Sequence, residues 1–152
     1  MIENRFVPIR PEHRWLYPID WQELSNLVRF TRAKGCCEHC DRPHGTTVLH
    51  LGDGRWWDAQ RGCWRDGKGR RVRVLGNNPL TLIRSTRVYI ACAHLNHDPT
   101  RNSPRELAAL CQRCHMIHDA AEHRRRRWFN AYKLRALGDL LAGLDVRQSL
   151  RR

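Results

Sequence analysis

Two pairs of cysteines are the residues of this chain whose types and spacing most directly predict chemistry. Cys37 and Cys40 form the first pair, and Cys111 and Cys114 form the second. Thiolates in a Cys-x-x-Cys knuckle can both reach one ion, and two knuckles supply the four tetrahedral ligands of a structural Zn²⁺. The spacing therefore predicts one zinc bound by all four cysteines, in preference to a buried cluster of unmetallated thiols.

Histidines and an aspartate crowd the second cysteine pair. His94, His97 and Asp98 lie shortly before it, and His115 follows Cys114 directly. Imidazole and carboxylate groups bind divalent ions, and a neutral imidazole is a suitable general base near pH 7. The pattern predicts a reactive site held in place by the zinc, and a satisfied core histidine is the alternative for His94.

The charge of the chain indicates the class of its partner. The 152 residues contain 28 Lys and Arg against 15 Asp and Glu, a net charge of +13, and all but three of the basic residues are arginines. Arginine presents a planar fork of donors that suits phosphate oxygens. Nucleic acid is therefore the expected partner, ahead of a basic surface that is only solvated.

Apolar patterning and cysteine usage bear on the compartment. The sequence has no apolar stretch long enough to span a bilayer, and residues 1–5 lack the pattern of a signal peptide. We therefore expect a cytoplasmic protein that does not insert in a membrane and whose cysteines bind metal rather than form disulfides. Cys36 could compete with Cys37 as a ligand, although Cys37 has the usual spacing. Of the remaining cysteines, Cys92 lies in an apolar run typical of the core, and Cys63 has no predicted role.

The elements that must position these residues divide the chain into three predicted parts. Residues 1–19 contain three prolines and are expected to form an extended N-terminal arm. Residues 20–123 are expected to form one zinc-stabilised domain of mixed α+β class, and residues 124–152 a basic helix and tail. A domain of this size buries a modest core, which a metal site would reinforce.

A first helix is predicted before the first knuckle. It begins at Asp20, which can form a capping box with Glu23, and it ends at Gly35. Its apolar face is expected to contain Trp21, Leu24, Leu27 and Val28.

Residues 46–93 are expected to be rich in β-strands. The signals are turns at 52–54 and 66–69, a half-buried strand at 70–75, a loop at 76–79 and a strand over 87–93 that ends at His94. At least two of Trp56, Trp57 and Trp64 are expected in the core. The alternative is that tryptophans interleaved with arginines stack on bases.

Two further helices are predicted in the last third of the chain. Ser103 and Glu106 can form a capping box with Pro104 at the first helical position, which predicts a helix through to the second knuckle. A long basic helix is predicted from about Asp119 towards Gly138. Its leucines at helical spacing predict packing on the body of the protein or on a second chain: Leu134, Leu137, Leu140, Leu141 and Leu144.

The order of these motifs resembles the HNH endonucleases, and small bacterial and phage members in particular. The resemblance covers residues 17–123. Most of its weight lies in Ala-His-Leu-Asn-His-Asp-Pro at 93–99 and Leu-Ala-Ala-Leu-Cys-Gln-Arg-Cys-His at 107–115. Tyr-Pro-Ile-Asp-Trp at 17–21 and Gly-Cys-Cys-Glu-His-Cys at 35–40 also look like the start of such members.

The resemblance implies a ββα-metal core, in which one divalent ion lies between a hairpin and a helix, with an inserted hairpin region beside it. It implies a metal-dependent endonuclease that hydrolyses phosphodiester bonds, in DNA rather than RNA, in a bacterial or phage-infected cell. His94 would take a proton from the attacking water, and His115 would help to hold Mg²⁺ or a similar ion.

Two positions depart from the commonest pattern of the family. Ala93 stands where many members have a metal-binding aspartate, and Glu106 aligns with the asparagine that usually orients the base. His97 and Asp98 are the best substitute ligands, with His97 preferred. Glu106 could bind the ion or only cap a helix with Ser103.

The C-terminal helix is the predicted nucleic-acid contact. Arg124, Arg125, Arg126, Arg127 and His123 are expected to meet phosphates of double-stranded DNA, and simple exposed basic residues are the alternative. Two rival functions stay open. One is a catalytically lapsed subunit that binds nucleic acid or regulates a nucleoprotein complex. The other is a protein-interaction component or homodimer that uses this helix.

Overall fold

The computed structural model describes the backbone of residues 11–73 and 83–149 and side chains as far as Ala136, apart from that of Glu12. The chain divides into two compact units, Met1–Ile117 and His118–Arg152. The loop predicted at 76–79, and the end of the strand predicted at 70–75, lie outside the described residues.

The N-terminal part of the first unit is helical. Residues 11–16 of the expected extended arm form a 3₁₀ helix (Pro11–Leu16). Helix α1 (Trp21–Asn26) follows and continues into a π-helical segment (Leu27–Arg32). The chain leaves this segment through Lys34 and Gly35, whose φ angles are 53° and 72°. Positive φ favours glycine, which explains why the helical region ends there, as predicted.

Two details of the predicted first helix are wrong. Asp20 precedes α1, but its side chain makes no capping hydrogen bond within the described residues, so the capping box does not form. Leu27 is 52 % exposed, whereas Val28 is fully buried. The buried face follows the i, i+4, i+7 spacing from Trp21, which selects Ser25 and Val28 and passes over Leu27.

Five short antiparallel strands form the larger sheet, and the prediction that residues 46–93 are rich in β-strands is confirmed. They are β1 (Thr47–His50), β2 (Trp56–Asp58), β3 (Cys63–Arg65), β4 (Arg71–Val72) and β5 (Arg84–Arg87). Their order is β4-β3-β2-β1-β5. Strand β5 was not predicted, because its sequence Arg-Ser-Thr-Arg is exposed throughout and lacks the apolar alternation that marks a strand.

The turns of this sheet lie where the sequence predicts them. Residues 52–54 connect β1 to β2, and residues 66–69 connect β3 to β4. In the second turn the Asp66 carboxylate accepts hydrogen bonds from the backbone N–H groups of Lys68 and Arg70, at 2.8 and 2.9 Å. An aspartate at the start of a turn is favoured for this reason.

The three tryptophans of the sheet have different surroundings. Trp56 is 1 % exposed and lies in the core. Trp57 and Trp64 are half-buried and meet edge to face across β2 and β3, with 5.7 Å between ring centroids. The prediction of at least two core tryptophans is therefore wrong, since Trp56 alone of the three is buried.

A two-stranded hairpin replaces the helix predicted over residues 103–111. Strand β6 (Ile90–His94) pairs antiparallel with β7 (Leu107–Cys111), and all five residues of β7 are buried. A short continuous apolar run fits a covered strand as well as a helix, and pairing with β6 decides between them. The N–H of Glu106 donates to the Ser103 carbonyl at 2.8 Å in a turn, so these two residues cap no helix. His94 ends β6, as predicted.

Helices follow the hairpin. Helix α2 (Gln112–His118) begins directly after β7. In the second unit, α3 (Ala120–Ser149) confirms the predicted long basic helix and extends beyond Gly138. Leu134 is 72 % exposed. The other four leucine side chains lie outside the described part of the helix, so their packing stays a prediction.

The core of the first unit combines helix, sheet and hairpin with both cysteine pairs. Its buried apolar residues are Val28, Cys37, Cys40, Val48, Trp56, Val88, Ile90, Ala93, Leu107, Ala108, Ala109, Leu110, Cys111 and Cys114. Cysteines from two distant segments therefore form part of the packing itself.

Candidate metal centre and active site

The four cysteines of the two pairs come together in the core. Cys37, Cys40, Cys111 and Cys114 are each at most 4 % exposed, and their sulfur atoms all lie within 4.8 Å of one another. The Sγ atoms of Cys40 and Cys111 are 3.6 Å apart, near the edge of about 3.8 Å expected for a ZnS₄ tetrahedron. The four predicted cysteines therefore form one cluster, which contains Cys37 rather than Cys36.

The two knuckles reach the same geometry by different local structures. In the first, the N–H of Cys37 donates to the Arg42 carbonyl at 3.0 Å, and the N–H of Asp41 donates to the Cys37 carbonyl at 2.8 Å. In the second, Cys111 ends β7 and Cys114 lies in the first turn of α2. The second pair is therefore brought together across a direct strand-to-helix junction, without a loop.

A backbone N–H and an arginine donate hydrogen bonds to two of the sulfur atoms. The backbone N–H of Cys111 donates to Cys37 Sγ at 3.3 Å, and Arg42 Nη1 donates to Cys40 Sγ at 3.8 Å. Hydrogen bonds from Cys114 and Cys37 lower the pKa of the Cys111 thiol, whereas the hydrogen bond with Cys111 raises the pKa of Cys40. Four thiolates this close need a cation to be ionised together. The cluster is therefore consistent with a structural Zn²⁺.

Glu38 fastens the first knuckle to the hairpin. Its carboxylate accepts from the N–H of Ala109 in β7 at 2.8 Å, and its own N–H donates to the Ala109 carbonyl at 2.9 Å. Arg32 donates to both Glu38 oxygens, at 2.8 and 2.7 Å, and to the Leu107 carbonyl at 2.7 Å. Burial raises the pKa of Glu38, but these hydrogen bonds outweigh burial and hold the pKa below its usual value.

Two arginines beside the cysteines fasten the larger sheet to the cluster. Arg42 donates to the Gly54 carbonyl at 3.0 Å. Arg113, inside the second knuckle, lies against Gly54, where φ is 110° and a Cβ would come within 2.6 Å of the guanidinium. Glycine at this turn therefore allows the close approach of the arginine.

One amide fixes the tautomer of His94. His94 Nε2 lies 3.0 Å from Asn102 Oδ1, and Asn102 Nδ2 donates to the Pro99 carbonyl at 3.1 Å. A carbonyl can only accept, so the amide nitrogen faces Pro99 and the amide oxygen faces the imidazole. His94 Nε2 is then the protonated nitrogen, and the neutral ring carries its basic lone pair on Nδ1.

Two aromatic rings set the plane of the His94 imidazole. Trp21 stacks on it with 5.0 Å between centroids and an interplanar angle of 11°, and Tyr17 meets it edge-on at 5.7 Å. Burial raises the pKa of Tyr17, so the phenol keeps its proton near neutral pH. The sequence placed Trp21 only on a packing face, whereas the structure gives it contact with the candidate base.

The loop between β6 and β7 carries two predicted ligands of the catalytic ion. His97 is exposed and has a φ of 57°. The Asp98 carboxylate accepts from the hydroxyl and the N–H of Thr100, at 2.7 and 3.0 Å, and these bonds lower its pKa. In the described part of the chain, His97, Asp98 and His115 do not form a group whose ligand atoms all lie within 4.8 Å. The catalytic ion stays a prediction.

The remaining candidates in the first unit lie in separate environments. Ala93 is 2 % exposed and packs in the core. The Glu106 carboxylate lies 2.6 Å from Arg101 Nη2 and 3.4 Å from Asn96 Nδ2, so it belongs to the polar network of the loop. His115 is half-buried in α2, next to the second cysteine pair.

Asn102 is the residue near His94 that sequence reasoning missed. The signal it offers is an amide in a polar loop shortly after the histidine. No spacing rule links the two residues, because their contact depends on how the loop folds back at Pro99.

The predicted nucleic-acid contacts in the second unit are exposed side chains of α3. Arg125 and Arg126 pair with Glu122 at 2.9 Å. His123 Nε2 lies 3.9 Å from a carboxylate oxygen of Asp119. Arg124 and Arg127 are exposed on the same helix.

Among the described residues, no helix combines the length and the apolar character needed to cross a bilayer. Comparisons with protein-family profiles, with curated protein sequences and with solved structures find no match, so the resemblance to the HNH endonucleases rests on sequence motifs alone.

Proposed function

We propose that this protein is a zinc-stabilised, metal-dependent endonuclease of the HNH type that hydrolyses phosphodiester bonds in DNA. The order of β6, β7 and α2 is that of a ββα-metal core, with the candidate base at the end of the first strand. The cysteine cluster joins the first knuckle to this unit. The net charge of +13 supports a polyanionic substrate, and the preference for DNA over RNA comes from the resemblance alone.

The contact between His94 and Asn102 is the single observation that carries this proposal. With Nε2 hydrogen-bonded to Asn102 Oδ1, Nδ1 is the basic atom of the neutral imidazole. Nδ1 takes the proton of a water molecule as the water oxygen attacks phosphorus, and the bond from phosphorus to the leaving oxygen breaks. A base oriented by a third group is the arrangement that general-base catalysis requires.

A divalent ion, when bound, would offset charge on the scissile phosphate and on the leaving oxygen. His97, Asp98 and His115 are its proposed ligands, because the carboxylate suits Mg²⁺ or Mn²⁺ and the two imidazoles suit a softer divalent ion such as Ni²⁺. Trp21 and Tyr17 restrict rotation of the His94 ring and keep one side of it from water.

A plasmid-cleavage assay with Mg²⁺, Mn²⁺ or Ni²⁺ tests the proposal. His94→Ala should reduce cleavage by a factor on the order of 10² to 10⁴, the usual contribution of a general base. His50→Ala is the matched control, since His50 lies in β1 and bonds Thr86 of β5 at 2.9 Å. Both variants should keep zinc and DNA binding. Unchanged cleavage by His94→Ala would place the chemistry elsewhere.

A catalytically lapsed subunit is the second candidate, and Ala93 is the observation that favours it. This position lies in the core and offers no ligand where many HNH members have an aspartate. The same assay separates the candidates. A parent protein that binds duplex DNA but cuts under none of the three metals supports the lapsed subunit and contradicts the endonuclease.

A further inference from the structure

The four consecutive arginines of α3 are not equivalent, because one acidic residue engages two of them. Arg125 donates to both carboxylate oxygens of Glu122, at 2.9 and 3.0 Å, and Arg126 donates to one at 2.9 Å. Positions three and four residues apart on a helix are neighbours, which is why the two arginines converge there. Their hydrogen bonds lower the pKa of Glu122 to about 2, so it stays ionised near neutral pH.

The other two arginines belong to a different face of the helix. Arg124 and Arg127 are three residues apart, and Arg135 lies eleven residues, or about three turns, beyond Arg124. All three are exposed. Glu122 is the one acidic residue between 120 and 136, and helical spacing places it on the side opposite Arg124. The charge of this face is therefore not offset within the described part of α3.

Aromatic residues distinguish the two faces further. Trp128, four residues from Arg124, is 67 % exposed and stacks on Tyr132 with 5.8 Å between centroids and an angle of 13°. Phe129 lies towards Glu122, and Lys133 Nζ is 4.7 Å from the centre of its ring. The basic face thus presents a flat apolar surface among its arginines, which suits the sugar edge of a nucleic-acid backbone.

We propose that Arg124, Arg127, Trp128 and Arg135 form the face of α3 that docks on the backbone of duplex DNA, while Arg125 and Arg126 neutralise Glu122. This deepens the proposed function and rests on it. The rise of about 1.5 Å per residue puts Arg135 about 16 Å from Arg124 along the axis, somewhat more than the major-groove width of about 12 Å. A helix crossing the groove can therefore place these arginines against phosphates of both strands.

Two double variants test the proposal with equal changes in charge. The affinity of the full chain for a fixed duplex is measured over a range of salt concentrations for the parent, for Arg124→Gln with Arg127→Gln, and for Arg125→Gln with Arg126→Gln. The first double variant should bind more weakly and lose about 1.8 from the slope of log affinity against log salt, about 0.9 for each phosphate contact. The second double variant should lose less than half as much from this slope.

Two single variants examine the aromatic contribution in the same assay. Trp128→Ala should weaken duplex binding several-fold, whereas Phe129→Ala should leave it near that of the parent. Circular dichroism should show the same helix content in all variants, since glutamine and alanine are good helix formers.

Each outcome decides the proposal. Equal losses in the two double variants would mean that only overall charge matters, and would overturn the assignment of the face while leaving DNA binding in place. A larger loss for the second double variant, or a loss confined to single-stranded DNA, would overturn it as well. A parent that binds no duplex would contradict the proposed function and this surface together. Concentration-dependent dimerisation abolished by Trp128→Ala, with unchanged DNA binding, would assign the face to a second copy of the chain.

Discussion

The two ends of the β6–β7 hairpin are built differently. At one end Ile90 pairs with Cys111 beside a buried cluster of sulfur atoms, and at the other His94 pairs with Leu107 beside an exposed polar loop. The five-residue strands separate these ends by about 14 Å. The buried end is supported by backbone, arginine and glutamate contacts from several elements, whereas His94, the proposed base at the exposed end, contacts the Asn102 amide and the rings of Trp21 and Tyr17.

Substitutions at the two ends should therefore have different effects, on the stability of the fold at the sulfur end and on the proposed chemistry at the His94 end. A substitution at the sulfur end disrupts a cluster that joins distant segments of the chain and is consistent with a structural zinc, so it should affect the whole first unit. A substitution at the His94 end changes one hydrogen bond near solvent, so it should alter the protonation of the base with little effect on the fold.

Replacing one cysteine of the cluster should have the largest effect. Cys40→Ser should abolish tight zinc binding and unfold the first unit, since a typical domain is stable by only about 5–15 kcal/mol and a structural metal supplies a comparable amount. Elemental analysis and thermal unfolding followed by circular dichroism measure the two effects.

Cys63→Ser is the control for that experiment. Cys63 is half-buried in β3 and lies outside the sulfur cluster, so this change should cost about 1 kcal/mol or less. If Cys40→Ser keeps one equivalent of zinc and the thermal stability of the parent, the contrast between the two ends of the hairpin does not hold.

Changing Asn102 should alter the base without unfolding the protein. Asn102→Ala removes the partner of His94 Nε2 and should slow cleavage by a factor on the order of 10–100. Asn102→Asp places a carboxylate against the imidazole, which raises the pKa of His94. The rising limb of the pH–rate profile should therefore move to higher pH, because the base stays protonated over a wider range.

Asn96→Asp serves as the matched variant, since it adds the same charge to the same loop, where Asn96 bonds Glu106 and Asp98. The rising limb of the pH–rate profile should move less in Asn96→Asp than in Asn102→Asp. NMR titration of the His94 ring gives the same comparison independently of cleavage. Equal shifts in both variants would mean that the loop acts through general charge and that Asn102 does not orient the base.

The smallest effect is expected at His44, which links the first knuckle region to the hairpin. The N–H of Ile90 donates to His44 Nδ1 at 3.0 Å, and burial together with Arg29 and Arg87 lowers the pKa of His44 below 6.5. Below about pH 6.5 the unfolded chain binds a proton that the folded chain resists, so the free energy of unfolding falls on acidification. The loss is up to about 1.4 kcal/mol per unit of lowered pKa.

His44→Asn keeps an acceptor near the position of Nδ1 and removes the titration. Urea unfolding at pH 7 and pH 5 with excess zinc should therefore show a smaller loss of stability in the variant than in the parent. Equal losses would attribute the acid sensitivity of this region to other groups.

Local rules of sequence predicted the residues at both ends of the hairpin but only one of its two strands, β6 and not β7. The cysteine spacing identified the cluster, because knuckle geometry is local and four thiols need a common partner. The same rules wrongly predicted a helix over residues 103–111, since an apolar run preceded by Ser103 and Glu106 satisfies helical and strand patterns equally. Strand β5 lacked the apolar alternation of a strand, and no spacing rule linked Asn102 to His94.

The sequence by itself determined the cluster of Cys37, Cys40, Cys111 and Cys114, the basic character of α3 and the position of His94 at the end of a strand. The tertiary structure decided that β7 is a strand, that Asn102 faces His94 and that Glu122 divides the arginines of α3 into two faces. The physical reason is the distance along the chain between the residues that interact. Metal spacing and charge are properties of neighbouring residues, whereas strand pairing, tautomer choice and ion pairing depend on which groups folding brings together.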